Sequence, residues 1–460
     1  MYSFIICFLV LVASYFVYGK VAEKVAGVDE TRETPAFRLQ DGVDYIPMSR
    51  LKNFLVHFLN IAGLGPIFGA IQGALFGPAA FIWIVLGTIF IGSIHDFFSG
   101  FMSLREDGFT MPNIVSKYLG SGIKELLAIL MIITGILVAA TFAKGAADLL
   151  SNLTTIPVLV WMIIIFVYFL IATVFPVDTI IGRFYPIFGA LLLLMVVLMT
   201  GALILNPSYT IPEFTTQGLY LTNKSIFPYL FVTIACGAIS GFHASQSPIV
   251  ARCIENEKDA RPVFFGAMVL EGLVALCWAA IAMAFFHGQP QLAAIYSASP
   301  SVAVNEMSMA LVGPIGLILT VIGVVICPIT SGDTALRSSR IIIADGLHID
   351  TELGSRLKIA VPLFLAAFGL TFVDFSLIWR YFAWSQLVVA TIVLYAATAY
   401  LIKKEKAYII TFLPAIACTL IAFGYILHAP EGLRWPSMIS NILSVIATAI
   451  LAYIFIKRFK

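Results

Sequence analysis

Between Cys236 and Pro248 the chain reads CGAISGFHASQSP, and this polar stretch interrupts an apolar run from Ile226 to Val250. Ser240, His243, Ser245, Gln246 and Ser247 carry hydroxyl, imidazole and carboxamide groups to a depth where a lipid-facing helix has none. Gly237 and Gly241 loosen a helix, and Pro248 withholds an amide. A helix broken inside a bilayer is tolerated where its freed backbone groups line a cavity or are buried in protein. HFLNIAGLGPIFGAIQG, His57 to Gly73, is a second stretch of this kind. Binding of a small substrate between the two breaks is the chemistry these residues predict, with Ala62, Gly63 and Gly65 on one side and Ser240, Gly241, His243 and Gln246 on the other. The plain alternative is a pair of small-residue packing helices with His243 as a core histidine.

An ionisable group at mid-bilayer costs about 2.5 to 3.5 kcal/mol on insertion scales, so each one calls for a role. His95 and Asp96 sit in GSIHDFFSG. A histidine bonded to a carboxylate there would shuttle protons near neutral pH, whereas a capping pair would only anchor the helix end. Thr330, Ser331 and Asp333, in CPITSGDTALRSSR, supply hard oxygens that hold sodium or accept a proton. In the alternative, Asp333 caps a following helix. Lys144 and Asp148 are spaced as an ordinary helical pair, and Glu271 is open to a structural or a coupling role. Half-helix N-termini beside the breaks suit a carboxylate, which makes an anionic substrate the preferred one.

These groups must be positioned by membrane helices. Of 460 residues, 60% are hydrophobic and 11% charged, and mean hydropathy is +1.00. The chain therefore reads as an all-α polytopic membrane protein. Thirteen candidate spans run at 2–19, 54–76, 79–103, 122–147, 156–175, 183–205, 226–250, 262–286, 310–330, 357–375, 378–402, 407–427 and 437–456. With the N-terminus outside and the C-terminus cytoplasmic, 23 of the 27 Lys and Arg fall on the inner side. The expected organisation is an extra helix (1–20), a cytoplasmic segment (21–50), a five-helix set (51–206), an external loop (207–225), a second five-helix set (226–402) and two further helices (403–460). Five is odd, so the two sets are inverted, and each begins with a broken member, the pattern of a transporter core. The segment 21–50 reads as a plug or gate, or as plain connection. Residues Ser331 to Leu347 read as a cytoplasmic amphipathic helix after a break at Cys327-Pro328. The six cysteines form no CxxC pair, and neither composition nor motif calls for a metal, a cofactor or nucleic acid.

The runs KNFLVHFLNIAGLGPIFG, GSIHDFFSGFMSLREDG, PVDTIIGRFYPIFG, ISGFHASQSPIVARC and CPITSGDTALRSSRIIIAD, with TPAFRLQDGVDYIPMSR before them, resemble the carbon starvation protein CstA family from about Thr34 to Asp345. Some family members are longer. The resemblance implies an inner-membrane secondary transporter of LeuT-like five-plus-five architecture that takes up peptides or pyruvate, driven by protons. It also implies that Gly63 to Gly69 and Ser240 to Pro248 match the family's two broken helices, and that His95-Asp96 and Thr330 to Arg340 match its inner polar motifs. Sodium coupling of the same substrates is the nearest alternative. An intramembrane metal-dependent hydrolase, read from scattered histidines without HExxH spacing, and a substrate sensor are the rivals of other classes.

Overall fold

A computed structural model describes every residue except 43, 175–176, 215–223, 299 and 350–351. Residues 215–223 of the expected loop 207–225, and the side chains opening PVDTIIGRFYPIFG, lie outside the described residues. Among the described residues, nine helices are long and apolar enough to cross a membrane, and two bent pairs raise that number to eleven. Val158–Val174 is a shorter apolar helix in the place of the fifth expected span. The N-terminal helix Tyr2–Ala26 turns most of its large apolar side chains outward, as a helix facing lipid does.

Both expected breaks are present. Arg50–Ala62 meets Gly65–Ala74 at 53°, and Ile226–Thr233 meets Ala235–Ala251 at 63°. The first break follows from its residues. Gly63 takes φ 40°, a left-handed backbone open to glycine at little cost, and Gly65-Pro66 begins a π-turn whose proline lacks an amide to bond backwards. At the second pair the 63° bend falls at Ile234, and the chain leaves the helix again at Ile239 and Ser240, Ser240 at φ 38°, before regular helix resumes at His243–Ala251.

The expected break at Cys327-Pro328 is corrected. The chain kinks instead at Gly313, inside Pro300–Thr320, and then runs helically through the π-turn Val321–Val325 into Ile326–Leu347. Ser331 to Leu347 is therefore no separate interfacial helix: Thr330, Ser331, Asp333, Arg337 and Arg340 are all buried in the bundle. The cause is close helix packing. The long helix Ser121–Leu153 lies against Ile326–Leu347, and a Cβ on Gly135 would stand 2.1 Å from Ser339 Oγ.

The segment between the first helix and Arg50 is ordered, and it docks on the chain that follows the second broken helix. Met48 N donates to Cys253 O at 3.0 Å, and Asn53 Nδ2 bridges Met48 O and Cys253 O at 2.8 and 2.9 Å. Beside it, Arg105 holds the buried Glu257 carboxylate at 2.6 Å, and Glu257 also accepts from Asp29 N at 2.9 Å.

Candidate functional site

The two breaks pack on each other. A Cβ on Gly65 would lie 2.4 Å from Cys236 Sγ, so only a bare α-carbon admits the second break this closely. Ala62, Gly63 and Gly65 are buried at that junction. Opposite them, Ser240 Oγ donates to Gln386 Oε1 at 2.8 Å and Phe242 N donates to the same oxygen at 3.3 Å, while Gln386 Nε2 reaches Cys236 Sγ at 3.3 Å. Gly241 lies against the Gln386 backbone, where a Cβ would come within 1.8 Å of its carbonyl oxygen. Thus Gln386, from helix Phe375–Lys403, supplies the partners that the unwound backbone loses.

One turn further along, four helices converge on a sealed polar cluster. Asp96, from the Ala79–Arg105 helix, is its hub. His57 Nε2 is 2.9 Å from Asp96 Oδ2, and Ser247 Oγ is 2.6 Å from Asp96 Oδ1. An ionised carboxylate only accepts, so both neighbours donate to it. His243 stands between two carboxylates, its Nδ1 3.6 Å from Asp96 Oδ2 and its Nε2 3.1 Å from Glu271 Oε2. Neither approach is aligned as a hydrogen bond. All four side chains are fully buried. No Lys or Arg forms an ion pair with them among the described residues.

The structure thus joins residues that the sequence assigns to different tasks. His243, expected as a substrate contact, shares the cluster with Asp96, expected to couple. The histidine bonded to Asp96 is His57, not the neighbouring His95. His95 is buried with both ring nitrogens unbonded, its ring centroid 6.5 Å from that of His243. Gln246, one turn after His243, is buried with neither amide atom hydrogen-bonded.

Thr330, Ser331 and Asp333 lie elsewhere. Thr330 Oγ1 and Ser331 Oγ donate to Cys327 O at 2.7 and 3.0 Å, and Ser331 Oγ is also 2.8 Å from Asn60 O, just before the first break. Asp333 Oδ2 accepts from Tyr185 at 3.2 Å in a separate cluster with Tyr168 and Arg337. The sequence by itself assigns no site role to His57, Ser247 or Gln386 and leaves that of Glu271 open, although a carboxamide in the middle of an apolar span, as Gln386 is, is a readable signal.

The comparisons with known proteins agree with this architecture. The profile of the family described as "Carbon starvation protein CstA" matches residues 1–159 and 145–321. The chain belongs to the carbon starvation protein CstA family. An uncharacterized membrane protein of Haemophilus influenzae is 40% identical over 351 residues, 65% of this chain and 95% of its own length. The pyruvate/proton symporter BtsT of Escherichia coli is 28% identical over 58% of this chain and 46% of its own, and the E. coli peptide transporter CstA 29% identical over 57% and 47%. This CstA-family chain therefore spans about half the length of those two relatives. Among solved structures, MhsT in complex with L-phenylalanine superposes with a TM-score of 0.59 at 15% identity, covering 87% of this chain and 99% of that one. The Eremococcus coleocola manganese transporter does so with a TM-score of 0.55 at 13% identity, covering 92% and 99%. At such identities the likeness establishes the fold, which is the LeuT-like one. A multi-pass membrane protein of the CstA family with a transporter's architecture is what sequence and structure establish together.

Proposed function

We propose that this chain is a secondary active transporter for small carboxylate-bearing nutrients, pyruvate or short peptides, moved by alternating access together with protons. It sits in the inner membrane with its N-terminus outside and its C-terminus in the cytoplasm, the orientation that the Lys and Arg distribution favours. The two five-helix sets, 51–206 and 226–402, form the moving core.

The observation that carries this reading is the cluster of His57, Asp96, His243 and Glu271, buried beside both helix breaks with no Lys or Arg paired to it among the described residues. Two carboxylates at membrane depth, with no Lys or Arg in ion-pair reach among the described residues, are held at an acceptable cost when protons or imidazolium supply positive charge. That makes the site a proton-binding one, and its position beside the breaks ties proton binding to the elements that alternating access moves. The substrate path runs along Ala62, Gly63, Gly65, Ser240, Gly241 and Gln246. The cluster around Asp96 serves the proton, and the names of the E. coli relatives, a pyruvate/proton symporter and a peptide transporter, support both the ion and the substrate classes.

Sodium coupling is the second reading. It is favoured by the oxygens of Thr330, Ser331 and Asp333 on the helix that bonds Asn60 O at the first break. Uptake of labelled pyruvate and of labelled dialanine into proteoliposomes, under an imposed proton gradient and separately under a sodium gradient, decides between them. Accumulation driven by protons is expected. Accumulation driven by sodium alone would establish the second reading, and no gradient-dependent accumulation of either compound would dismiss both.

A further inference from the structure

We infer that His243 is the proton carrier of this site, and that a proton on its ring ties the C-terminal half of the second broken helix to the two helices that bear Asp96 and Glu271. The inference rests on the transport reading above and gives it a switch.

The geometry of one ring carries it. His243 presents Nδ1 to Asp96 on one side and Nε2 to Glu271 on the other, at 3.6 and 3.1 Å, from helices Ala79–Arg105 and Ala267–Phe285. A neutral imidazole has one N–H and one lone pair. Between two ionised carboxylates it can therefore satisfy only one, and its lone pair faces the negative oxygen of the other. A doubly protonated ring turns an N–H and a positive charge toward both and draws the three helices together. Asp96 has two other neighbours, His57 Nε2 at 2.9 Å and Ser247 Oγ at 2.6 Å, the hydroxyl lying also 2.7 Å from His243 O, so its contacts do not depend on His243. Neither Glu271 oxygen has a hydrogen bond. The variable proton therefore belongs to the His243–Glu271 contact.

Unloading breaks the Nε2–H bond. The proton passes through the Glu271 carboxylate to water, leaving as hydronium, and Nε2 keeps the electron pair. Nδ1–H still faces Asp96 at 3.6 Å, while the Nε2 lone pair opposes Glu271, and the helix is released on that side. Loading reverses each step.

The other titratable groups around the ring are His57 and His95, whose centroids lie 6.4 and 6.5 Å from that of His243. Helix Ile326–Leu347, packed on the same element, offers the Ser338 hydroxyl to Ser245 O at 3.2 Å. Helix Phe375–Lys403 offers Gln386 to Ser240 and Phe242. Helix Met111–Leu119, also in contact, places no charged group in ion-pair reach of His243 among the described residues. A proton arriving at the ring thus changes the balance between the second broken helix and its two carboxylate-bearing neighbours, and among the described residues no Lys or Arg is paired with those carboxylates, the buried Arg337 and Arg340 of helix Ile326–Leu347 included.

Two measurements test this. In proteoliposomes, a gradient of one pH unit supports about tenfold accumulation for one proton per substrate. The response of labelled pyruvate or dialanine uptake to such gradients is compared in the unaltered chain, His243→Gln and Glu271→Gln. Both variants are expected to lose the response. A His243→Gln or Glu271→Gln protein that still accumulates substrate with the gradient as the unaltered chain does overturns the inference. The second measurement needs no transport. Spin labels are placed at the exposed positions Glu255→Cys and Glu125→Cys, with Cys7→Ser to remove the half-buried thiol. Their separation is read by pulsed electron resonance at about pH 5.5 and about pH 8.5. The separation is expected to shift with pH, and to lose that shift in His243→Gln and in Glu271→Gln. An unchanged separation, or the same shift in His243→Gln, overturns the inference. If the unaltered chain accumulates nothing, the transport reading fails by itself, and the spin-label result alone decides whether His243 is the proton-linked tie.

Discussion

Replacing Gln386 with Met tests whether a side chain from a continuous helix sets the shape of the second break. Met keeps nearly the same volume in an adaptable chain, so the substitution removes polarity with little change in packing. In the native structure Gln386 Oε1 receives Ser240 Oγ–H at 2.8 Å and Phe242 N–H at 3.3 Å, both buried. A hydroxyl can turn toward another acceptor, but the amide is fixed by its backbone. Each buried donor left without a partner costs about 1 to 3 kcal/mol. The long Phe242 contact and the mobile hydroxyl place both losses toward the lower end, which gives about 2 to 4 kcal/mol for the pair. Unfolding of the protein in mixed detergent micelles by added dodecyl sulfate, followed by circular dichroism, reads this loss directly. If substrate binds the ordered break, the same penalty raises the half-saturation concentration for uptake by at least about tenfold, since about 1.4 kcal/mol corresponds to one decade. A Gln386→Met protein within about 0.5 kcal/mol of the unaltered chain, well below the cost of a single orphaned donor, would refute the assignment. Unchanged half-saturation would confine Gln386 to a purely structural part.

Further expectations concern the docked segment and the helix ends. Glu257→Gln removes the charge that Arg105 holds at 2.6 Å, and a hydrogen bond to a charged group is worth about 1.5 to 3 kcal/mol. Trypsin should therefore cut faster at Arg32 and Arg38 in the variant, and equal rates would show that the segment is held by its backbone contacts alone. Asp374 caps helix Phe375–Lys403, accepting from Ser376 Oγ at 2.6 Å and Leu377 N at 3.0 Å, and these bonds hold its carboxyl below the usual carboxylate range. A depressed folded-state value means the cap is fully present above the ordinary carboxylate range and is lost as pH falls through that range and below it. Asp374→Ala should cost about 1 kcal/mol at neutral pH, and the difference from the unaltered chain should shrink in acid. A pH-independent difference in the detergent unfolding assay would show that the cap's charge is immaterial.

The local chemistry of the breaks was legible because it is local. Gly-Leu-Gly-Pro after Ala62 and Ile-Ser-Gly-Phe before His243 disfavour a regular helix, and the 53° bend and the unwinding at Ile239 and Ser240 fall where these residues stand, while the 63° bend lies at Ile234, ahead of the polar run. The polar run after Cys327 misled for the converse reason. SGDTALRSSR has the spacing of a water-facing helix, but a polar stripe that faces protein has the same period as one that faces water. Here Gly135 and its helix cover that stripe.

The amino-acid sequence by itself determined the solvent this chain folds in, the broken character of two crossings and the likeness to its family, because hydropathy, glycine, proline and motif order act over short stretches. Only the tertiary structure decided which polar groups meet. His57, Asp96, His243 and Glu271 are separated by 39, 147 and 28 positions along the chain, and nothing in their spacing distinguishes Asp96 bonded to His57 from Asp96 bonded to the adjacent His95. That choice follows from how four helices rotate and slide to bury their small residues against one another, and a helix's own sequence does not contain its partner's angle.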